Sequence, residues 1–324
     1  MIGYDKMDYR RSGKSGLMLP LISLGFWHNF GSNDDPENMR AIVRTALEGG
    51  ITHLDLANNY GPGPGAAELN LGRILKEDLK DLRDQLIIST KAGYRMWEGP
   101  YGDLGSRKYL IASIDQSLKR LGLDYVDIFY HHRPDPDTPL EETAVALDQI
   151  VRSGKALYIG LSNYDGETIR KMNGIFSELK TPYIINQNCY NILNRTVEEN
   201  GLKKASRDLG KGLICFSPLA QGLLSDRYLN GIPEDSRIKK DGRFLKESDL
   251  TEDTMSKIRK LDAIAREGGR TLAELAICWL LTKGVTSVLV GVSKPEQLKS
   301  NLGIVGKEHL TAEEMACIDN VIFS

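Results

Sequence analysis

The chain has 324 residues, 41% of them hydrophobic and 27% charged, which is ordinary for a globular protein and excludes a disordered or fibrous one. Its 42 Lys and Arg and 44 Asp and Glu give a formal net charge of −2, so charge gives no reason to expect nucleic acid or a membrane as partner. The N-terminal segment lacks the apolar core of a signal peptide, and no stretch reaches the about 18 apolar residues of a membrane span, so we predict a soluble, cytoplasmic protein.

The cysteine pattern also favours a reducing compartment. Cys189, Cys215, Cys278 and Cys317 form no C-x-x-C pair and have no histidine cluster beside them. Three of them lie in apolar runs, where a free thiol is commonly buried. We therefore predict free thiols and no metal site.

Short apolar runs alternate with longer amphipathic runs along the chain. The first predicted element is a hairpin over residues 9–19, which could close the bottom of a barrel. Strands are then predicted at 21–25, 51–56, 86–90, 125–130, 156–161, 183–186, 212–216 and 286–290. Helices are predicted at 36–48, 66–79, 107–121, 139–152, 165–176, 197–209, 272–281 and 295–301. Asp35 and Ser106 are the predicted N-caps of two of these helices.

This alternation predicts a parallel α/β sheet with right-handed crossovers. Eight such units can close a TIM (β/α)8 barrel, and a doubly wound open sheet is the alternative, since strand count alone does not separate the two. We predict one barrel domain over residues 1–324, with the N-terminal hairpin and a long loop after strand 7. Residues 217–250, which are charged and punctuated by Pro and Gly, are interpreted as that loop, an excursion over the active-site face.

Candidate catalytic residues follow consecutive predicted strands, where chemistry is found in TIM barrels. The second strand ends HLDLANNY, which supplies Asp55 and Tyr60, and the third ends IISTK, which supplies Lys91. The fourth ends DIFYHHRPD, which supplies His131 and His132. Neighbouring residues of a strand point to opposite faces, and the residues that share the parity of His132 include branched apolar ones suited to the barrel interior. His132 is therefore the predicted rim residue.

These residue types can cooperate in delivering a proton to a carbonyl oxygen. A free tyrosine, with a pKa near 10, is a poor acid at neutral pH, and a neighbouring ammonium would lower that pKa. Asp55 would keep Lys91 charged and in place, and His132 could orient a carbonyl oxygen. Each residue alone is more often structural than catalytic. Their combination at three consecutive strand ends favours a functional site.

Competing motifs are weaker. Residues 61–66, GPGPGA, formally match a dinucleotide-binding fingerprint, but two prolines remove backbone donors there. The motif also begins five residues after Leu56, whereas a Rossmann turn follows its strand directly. Residues 13–15, GKS, lack the earlier glycine that a P-loop requires.

Taken in chain order, several segments resemble the aldo-keto reductase superfamily: LDLANNYG, STKAG, RLGLDYVDIFYHHRPD, GKALYIGLSNY, INQNCYN, FSPLAQGLLSDRYLNGIPEDSR and SVLVGVSKPEQLKSN. The set is similar to the branch that contains potassium-channel β subunits and bacterial L-glyceraldehyde 3-phosphate reductases, and MWEGPYGDLGSRKYL particularly resembles the latter. The resemblance implies a catalytic tetrad of Asp55, Tyr60, Lys91 and His132. It also implies NADP(H) bound in an extended form across the barrel mouth, without a Rossmann domain.

The resemblance further implies which residues bind the cofactor. They are Phe26 and Trp27 after strand 1, Asp55, Ser162, Asn163 and Gln187 near the carboxamide, Ser217, Leu219, Gln221 and Arg227 near the pyrophosphate, and Arg237, Gly291, Ser293, Lys294, Gln297 and Asn301 at the adenosine end. GVSKP opens a helix after strand 8, and a helix N-terminus offers free N–H groups to an anion. Ser293, Lys294 and Arg237 would supply donors and charge for a 2′-phosphate, which favours NADPH over NADH. Arg227 stands where a lysine is common, which changes the donor geometry.

The sequence thus predicts an NADPH-dependent reduction of small aldehydes, such as L-glyceraldehyde 3-phosphate or methylglyoxal, with Tyr60 as general acid. Trp27, Tyr60, Trp97 and His132 are predicted to line the substrate pocket. Two alternatives stay open: a cofactor-binding regulatory subunit, against which the complete tetrad argues, and a lyase or isomerase that forms a Schiff base on Lys91. The expected partner is a small carbonyl compound. A homo-oligomer is consistent with the tetramers and octamers of this branch.

Overall fold

Parallel strands close into a barrel at the centre of the structure. The computed structural model describes residues 1–229, 231–234, 237–240, 245–307 and 309–323. A hairpin of β1 (Tyr9–Arg11) and β2 (Met18–Pro20) comes first; the barrel strands are β3 (Ile22–Gly25), β4 (His53–Asp55), β5 (Ile87–Ala92), β6 (Val126–His131), β7 (Ala156–Ser162), β8 (Tyr183–Cys189), β9 (Gly212–Phe216) and β10 (Ser287–Val290). The last strand pairs with the first, with Val288 opposite Ile22, so the predicted TIM barrel is confirmed and the open sheet is excluded.

Helices surround the barrel and alternate with its strands. They are α1 (Pro36–Glu48), α2 (Ala66–Asp78), α3 (Arg107–Leu121), α4 (Leu140–Arg152), α5 (Gly166–Leu179), α6 (Thr196–Glu199), α7 (Leu202–Asp208), α8 (Arg237–Lys240), α9 (Glu252–Glu267), α10 (Leu272–Thr282), α11 (Pro295–Leu302) and α12 (Ala312–Phe323). The predicted caps are confirmed, since the Asp35 side chain accepts a hydrogen bond from the Glu37 amide and Ser106 accepts one from the Tyr109 amide. None of the helices formed by the described residues has the length and apolar character of a membrane span.

One predicted helix is divided in the structure, and two further helices were not predicted. The helix predicted at 197–209 is divided at Gly201, whose φ of 75° belongs to the left-handed region and ends one helix before the next begins. Both α9 and α12 were missed. Of the side chains of α12 only Ile318 is buried, whereas α9 buries Met255, Ile258, Leu261 and Ala265 at helical spacing. As predicted, the described part of 217–250 forms only short turns and the short helix α8 after the seventh barrel strand.

The N-terminal hairpin closes the amino-terminal end of the barrel, as predicted. Leu19 is fully buried within the cluster of side chains inside the barrel. The Ser12 hydroxyl donates to the Ile184 carbonyl oxygen over 3.2 Å, at the start of β8. Arg10 donates to the Val285 carbonyl oxygen over 3.0 Å, which ties the hairpin to the segment before β10. The opposite, carboxyl-terminal end is therefore the accessible end of the barrel.

The side chains inside the barrel come from strands on different sides of it. The apolar ones are Ile128, Tyr130, Ile184, Ile185, Ile214 and Leu289, joined by Leu19 of the hairpin. Ile128 and Tyr130 share the parity of His132, so the prediction that this face of β6 looks inward is confirmed. The Tyr130 ring fills the space beside Gly160, its partner on β7, where a Cβ atom would lie 2.2 Å from a ring carbon.

Gly160→Ala is therefore expected to lower the free energy of unfolding by about 1–3 kcal/mol, because the Tyr130 ring must move within a packed barrel. Urea-induced unfolding measures this loss. Gly174→Ala is the matched control, since a Cβ atom there meets nothing within 4 Å and alanine is the better helix former in α5. Equal stability of the two variants would contradict the tight packing of Tyr130 against Gly160.

Candidate active site

The four predicted catalytic residues meet at the carboxyl end of three neighbouring strands. Asp55 ends β4, Lys91 lies near the end of β5, and His132 directly follows β6. These strands pair in the order β4, β5, β6, and Tyr60 lies in the turn that follows β4. The parallel register brings four side chains that are distant in sequence to one edge of the barrel.

Asp55 and Lys91 form a buried ion pair. The Lys91 ammonium donates to Asp55 Oδ2 and to the Leu56 carbonyl oxygen, each over 2.5 Å. The side chain of Lys91 is 0% exposed and that of Asp55 is 2% exposed. Burial lowers the pKa of Lys91, and the Asp55 carboxylate opposes that shift. The carboxylate thus replaces the water that the ammonium has lost.

Tyr60 lies directly against this pair. The Lys91 ammonium is 4.9 Å from the centroid of its ring, and the His132 ring is 5.7 Å away in an edge-to-face arrangement. Burial raises the pKa of Tyr60 well above its ordinary value of 10.0, and Asp55 and Tyr94 add to that shift. The expected lowering of this pKa is not the net shift, because desolvation of the phenolate is the largest cause and raises the pKa. At neutral pH Tyr60 is a protonated phenol, which is the form that a proton donor requires.

His132 is a neutral, buried imidazole beside this phenol. Burial and the Lys91 charge hold the pKa of His132 well below its ordinary value. Its Nδ1 atom is buried and has no hydrogen-bond partner among the described residues. His131 points the other way, as predicted, and hydrogen-bonds the Tyr164 hydroxyl through Nδ1 over 2.7 Å. An unpartnered nitrogen of His132 is a group that a bound ligand could satisfy.

Aromatic residues of the loop after β5 and of α3 support the site, and the sequence analysis missed Tyr94 of the loop and Tyr109 of α3. The Tyr94 ring lies edge-on to His132 at 4.7 Å. The Tyr109 hydroxyl donates to the Tyr94 carbonyl oxygen over 2.5 Å and accepts from Asn58 Nδ2 over 3.1 Å. Trp97 is half-buried, with its ring 5.2 Å from that of Tyr109. The available signal was Tyr94 itself, an aromatic residue three positions after Lys91.

Residues predicted to bind the carboxamide lie next to the tetrad. Gln187 donates to Asp55 Oδ1 over 3.1 Å. Asn163, which has a left-handed φ of 62°, donates to the His132 carbonyl oxygen over 2.9 Å and to the Ser162 hydroxyl over 3.2 Å. These contacts join the ends of β7 and β8 to the catalytic residues.

The two aromatic residues after β3 differ in accessibility. Trp27 is half-buried. Phe26 is fully buried, and its ring is 4.0 Å from that of Phe30. The Phe26 side chain therefore belongs to the core, and Trp27 is the one of this pair that is open to a ligand.

The segment after β9 has a strained backbone. Ser217, Ala220 and Gln221 have φ values of 53°, 46° and 61°. Residues other than glycine rarely adopt such positive φ values. Gln221 donates to the Ser217 hydroxyl over 2.9 Å, and Leu219 is partly buried between them. Strain of this kind clusters at ligand-binding segments.

Further along, Arg227 lies in a short turn over Asp226–Tyr228 that Ser225 caps. The side chain of Arg237 lies outside the described part of the chain. The sequence analysis missed Phe216, at the end of β9. This residue is half-buried and packs against the apolar cluster inside the barrel. The available signal was its position two residues after Ile214, which places both side chains on the inner face of β9. Phe216 gives the barrel mouth an apolar floor.

The predicted helix after the eighth barrel strand is confirmed as α11. The Ser293 amide and hydroxyl both donate to Gln297 Oε1, over 2.8 and 3.1 Å. Lys294 precedes the helix and is exposed, Gly291 follows β10, and Asn301 is buried. The structure therefore places Gly291, Ser293, Lys294 and Gln297 around the N-terminus of α11 and the adjoining strand end, whereas Asn301 lies in the last turn of the same helix.

Comparisons with known proteins identify the family of this chain. The sequence pattern of the Aldo/keto reductase family matches residues 21–322. The chain belongs to the aldo/keto reductase family and is an oxidoreductase, so the Schiff-base lyase alternative is excluded. It is 55% identical over 323 residues to the L-glyceraldehyde 3-phosphate reductase of Escherichia coli O157:H7 and 54% identical over 323 residues to that of Escherichia coli strain K12. Each match covers 98% of this chain and 93% of the relative, which confirms the predicted branch.

Proposed function

We propose that the protein reduces small aldehydes to alcohols with NADPH, and that Tyr60 is the proton donor. The observation that carries this proposal is the convergence of a protonated phenol, a buried ammonium, a carboxylate and a neutral imidazole at the open end of the barrel. The family membership of the chain supports the same reaction type.

Each residue has a distinct role in this reaction. Bound NADPH supplies a hydride to the aldehyde carbon. The Tyr60 O–H bond breaks and its proton goes to the developing alkoxide oxygen, which becomes the alcohol hydroxyl. The Lys91 ammonium stabilises the phenolate that remains, and Asp55 holds Lys91 in place. His132 orients the carbonyl oxygen through a ring nitrogen.

The residues at the barrel mouth fit an extended dinucleotide. Ser162, Asn163 and Gln187 would hold the carboxamide beside the tetrad, and Trp27 and Phe216 would flank the nicotinamide ring. The strained segment that includes Ser217, Leu219 and Gln221, together with Arg227, would cover the pyrophosphate. Gly291, Ser293, Lys294, Gln297, Asn301 and Arg237 would hold the adenosine end. The support for this map is the open N-terminus of α11 and the left-handed residues after β9.

Lys294→Met is expected to weaken NADPH binding about tenfold and NADH binding little, because only NADPH carries the 2′-phosphate and one charge-assisted hydrogen bond is lost. Titration of cofactor fluorescence measures both affinities. Lys299→Met is the control, because it removes an exposed lysine near the other end of α11. Equal affinity for the two cofactors, unchanged by Lys294→Met, would contradict NADP(H) as the cofactor.

Three-carbon aldehydes are the proposed substrates. Both E. coli relatives are named for L-glyceraldehyde 3-phosphate, which has three carbon atoms. Methylglyoxal is also a three-carbon carbonyl compound, without the phosphate group. Trp27, Trp97, Tyr60 and His132 would form the walls of a small pocket. NADPH consumption over an aldehyde panel, followed by absorbance, tests this choice. A higher kcat/KM for long hydrophobic ketones than for three-carbon aldehydes would contradict this choice of substrate. Cofactor binding without turnover of any aldehyde would favour the regulatory-subunit alternative.

A further inference from the structure

A row of buried polar side chains leads across four neighbouring strands to the carboxylate of Asp55. The hydroxyls of Ser287 on β10 and Ser23 on β3 are 2.6 Å apart, and Ser23 Oγ is 2.9 Å from Nδ1 of His53 on β4. Nε2 of His53 is 2.9 Å from Ser89 Oγ on β5, and Ser89 donates to Asp55 Oδ1 over 2.6 Å. All of these side chains are fully buried except Asp55, which is 2% exposed.

The Asp55 carboxylate and the neutral ring of His53 together fix the direction of the hydrogen bonds in this row. A carboxylate only accepts, so Ser89 must donate to Asp55, and the Ser89 oxygen is left to accept from His53 Nε2. Burial lowers the pKa of His53 to about 4, so its ring is neutral and carries one N–H. That N–H is on Nε2, and Nδ1 accepts from Ser23. Ser23 in turn accepts from Ser287.

This row constrains the carboxylate itself. Asp55 Oδ1 accepts from Ser89 and from Gln187, whereas Oδ2 accepts from Lys91. The two oxygens therefore have different donors, and rotation of the carboxylate would break both sets. In the low dielectric of the barrel interior these hydrogen bonds are strong, and a buried polar group that loses its partner destabilises the fold. An apolar residue in place of His53 would leave the Ser23 and Ser89 hydroxyls without their buried partner.

We infer that His53 is a positioning residue of the reductase reaction: through Ser89 it holds the Asp55 carboxylate in the one orientation that keeps the Lys91 ammonium against Tyr60. This inference rests on the proposed function. His53 touches no reacting atom in this arrangement, and it acts only through Ser89 and Asp55.

The tautomer of His53 tests the row without any enzyme assay. Two-bond ¹H–¹⁵N spectra of the histidine-labelled protein resolve its five histidines, and the His53→Gln variant assigns the signal of His53. The expected result is a neutral ring protonated on Nε2 across roughly pH 6 to 8, where an unperturbed histidine would titrate. A ring protonated on Nδ1, or an imidazolium in that range, overturns the inferred direction of the row and with it the inference.

Kinetics test the positioning role. His53→Leu is expected to lower kcat about tenfold, the upper end of the worth of one ordinary hydrogen bond, with KM nearly unchanged. His53→Gln should recover most of that loss, because its amide can donate to Ser89 and accept from Ser23. The matched control is Leu54→Val, the next residue of β4, whose buried side chain points to the opposite face. It should lower the thermal midpoint and leave kcat as in the native protein.

Should His53→Leu fail to fold, Ser89→Ala keeps the test decisive, because it removes the hydroxyl through which His53 acts on Asp55 with a smaller change of shape. The same loss of kcat is expected. A native kcat in Ser89→Ala overturns this inference and leaves the proposed function standing. A native kcat in His53→Leu does the same if the thermal midpoint of that variant falls as it does in Leu54→Val. A native protein that reduces no aldehyde overturns the proposed function instead.

Discussion

Tyr60→Phe is expected to reduce the turnover of aldehydes by about 10²-fold or more while the protein still folds and binds NADPH. The substitution removes only the phenolic oxygen, so the ring contacts with Lys91 and His132 are kept and the proton donor is lost. Steady-state kcat measures the first effect, and cofactor fluorescence measures the second. Because the pKa of Tyr60 is raised, the native phenol stays protonated through the neutral range, and reduction should not slow until the pH passes about 10.

Tyr101→Phe is the matched control, because the Tyr101 side chain is exposed and lies beside Lys108. It removes the same atom from a tyrosine of the nearby loop and should leave turnover as it is. Native turnover in Tyr60→Phe would remove this residue from the proposed chemistry.

The Asp55–Lys91 pair is expected to give the largest change in stability. Lys91→Met leaves the Asp55 carboxylate buried without its cation, which should lower the free energy of unfolding by about 3–5 kcal/mol. Adding Asp55→Asn removes the unpaired charge and should restore most of that loss. Turnover should be absent from both variants. Urea-induced unfolding of the native protein, the two single variants and the double variant completes the cycle.

Lys171→Met provides the comparison with a solvated pair, since Lys171 and Glu167 form an exposed ion pair on α5. No measurable change in stability is expected there, because water replaces the lost partner. If the double variant Lys91→Met with Asp55→Asn were as unstable as the sum of the single variants, the two charges would not be coupled as the structure indicates.

The tetrad could be predicted from the sequence because parallel strands in a barrel end at the same edge. That rule alone brought Asp55, Lys91 and His132 together, and strand parity separated His132 from His131 correctly. Helix starts such as Asp35 and Ser106 were equally predictable, since a cap depends on residues only two or three positions away.

Quantities that depend on the whole surroundings could not be predicted. The net pKa shift of Tyr60 reflects burial by elements from many parts of the chain, and the sequence shows only the neighbouring charges. The hydrogen-bonded row through His53 joins four strands in register, which no local pattern encodes. Helix α9 is a different case: its buried Met255, Ile258, Leu261 and Ala265 recur at helical spacing, so this helix could have been predicted from the sequence and was overlooked.

The hairpin at the base of the barrel has a consequence for solvent. Leu19 is fully buried at the base of the barrel, whereas Tyr60, which lies against the Asp55–Lys91 pair, is only half-buried at the other end. Among the described residues, the expected route for water to this pair therefore runs past Tyr60. Any molecule seated over the mouth would shut that route, so a single binding event would isolate the pair from bulk solvent. Proton exchange between these groups and the medium should then pause until the occupant departs.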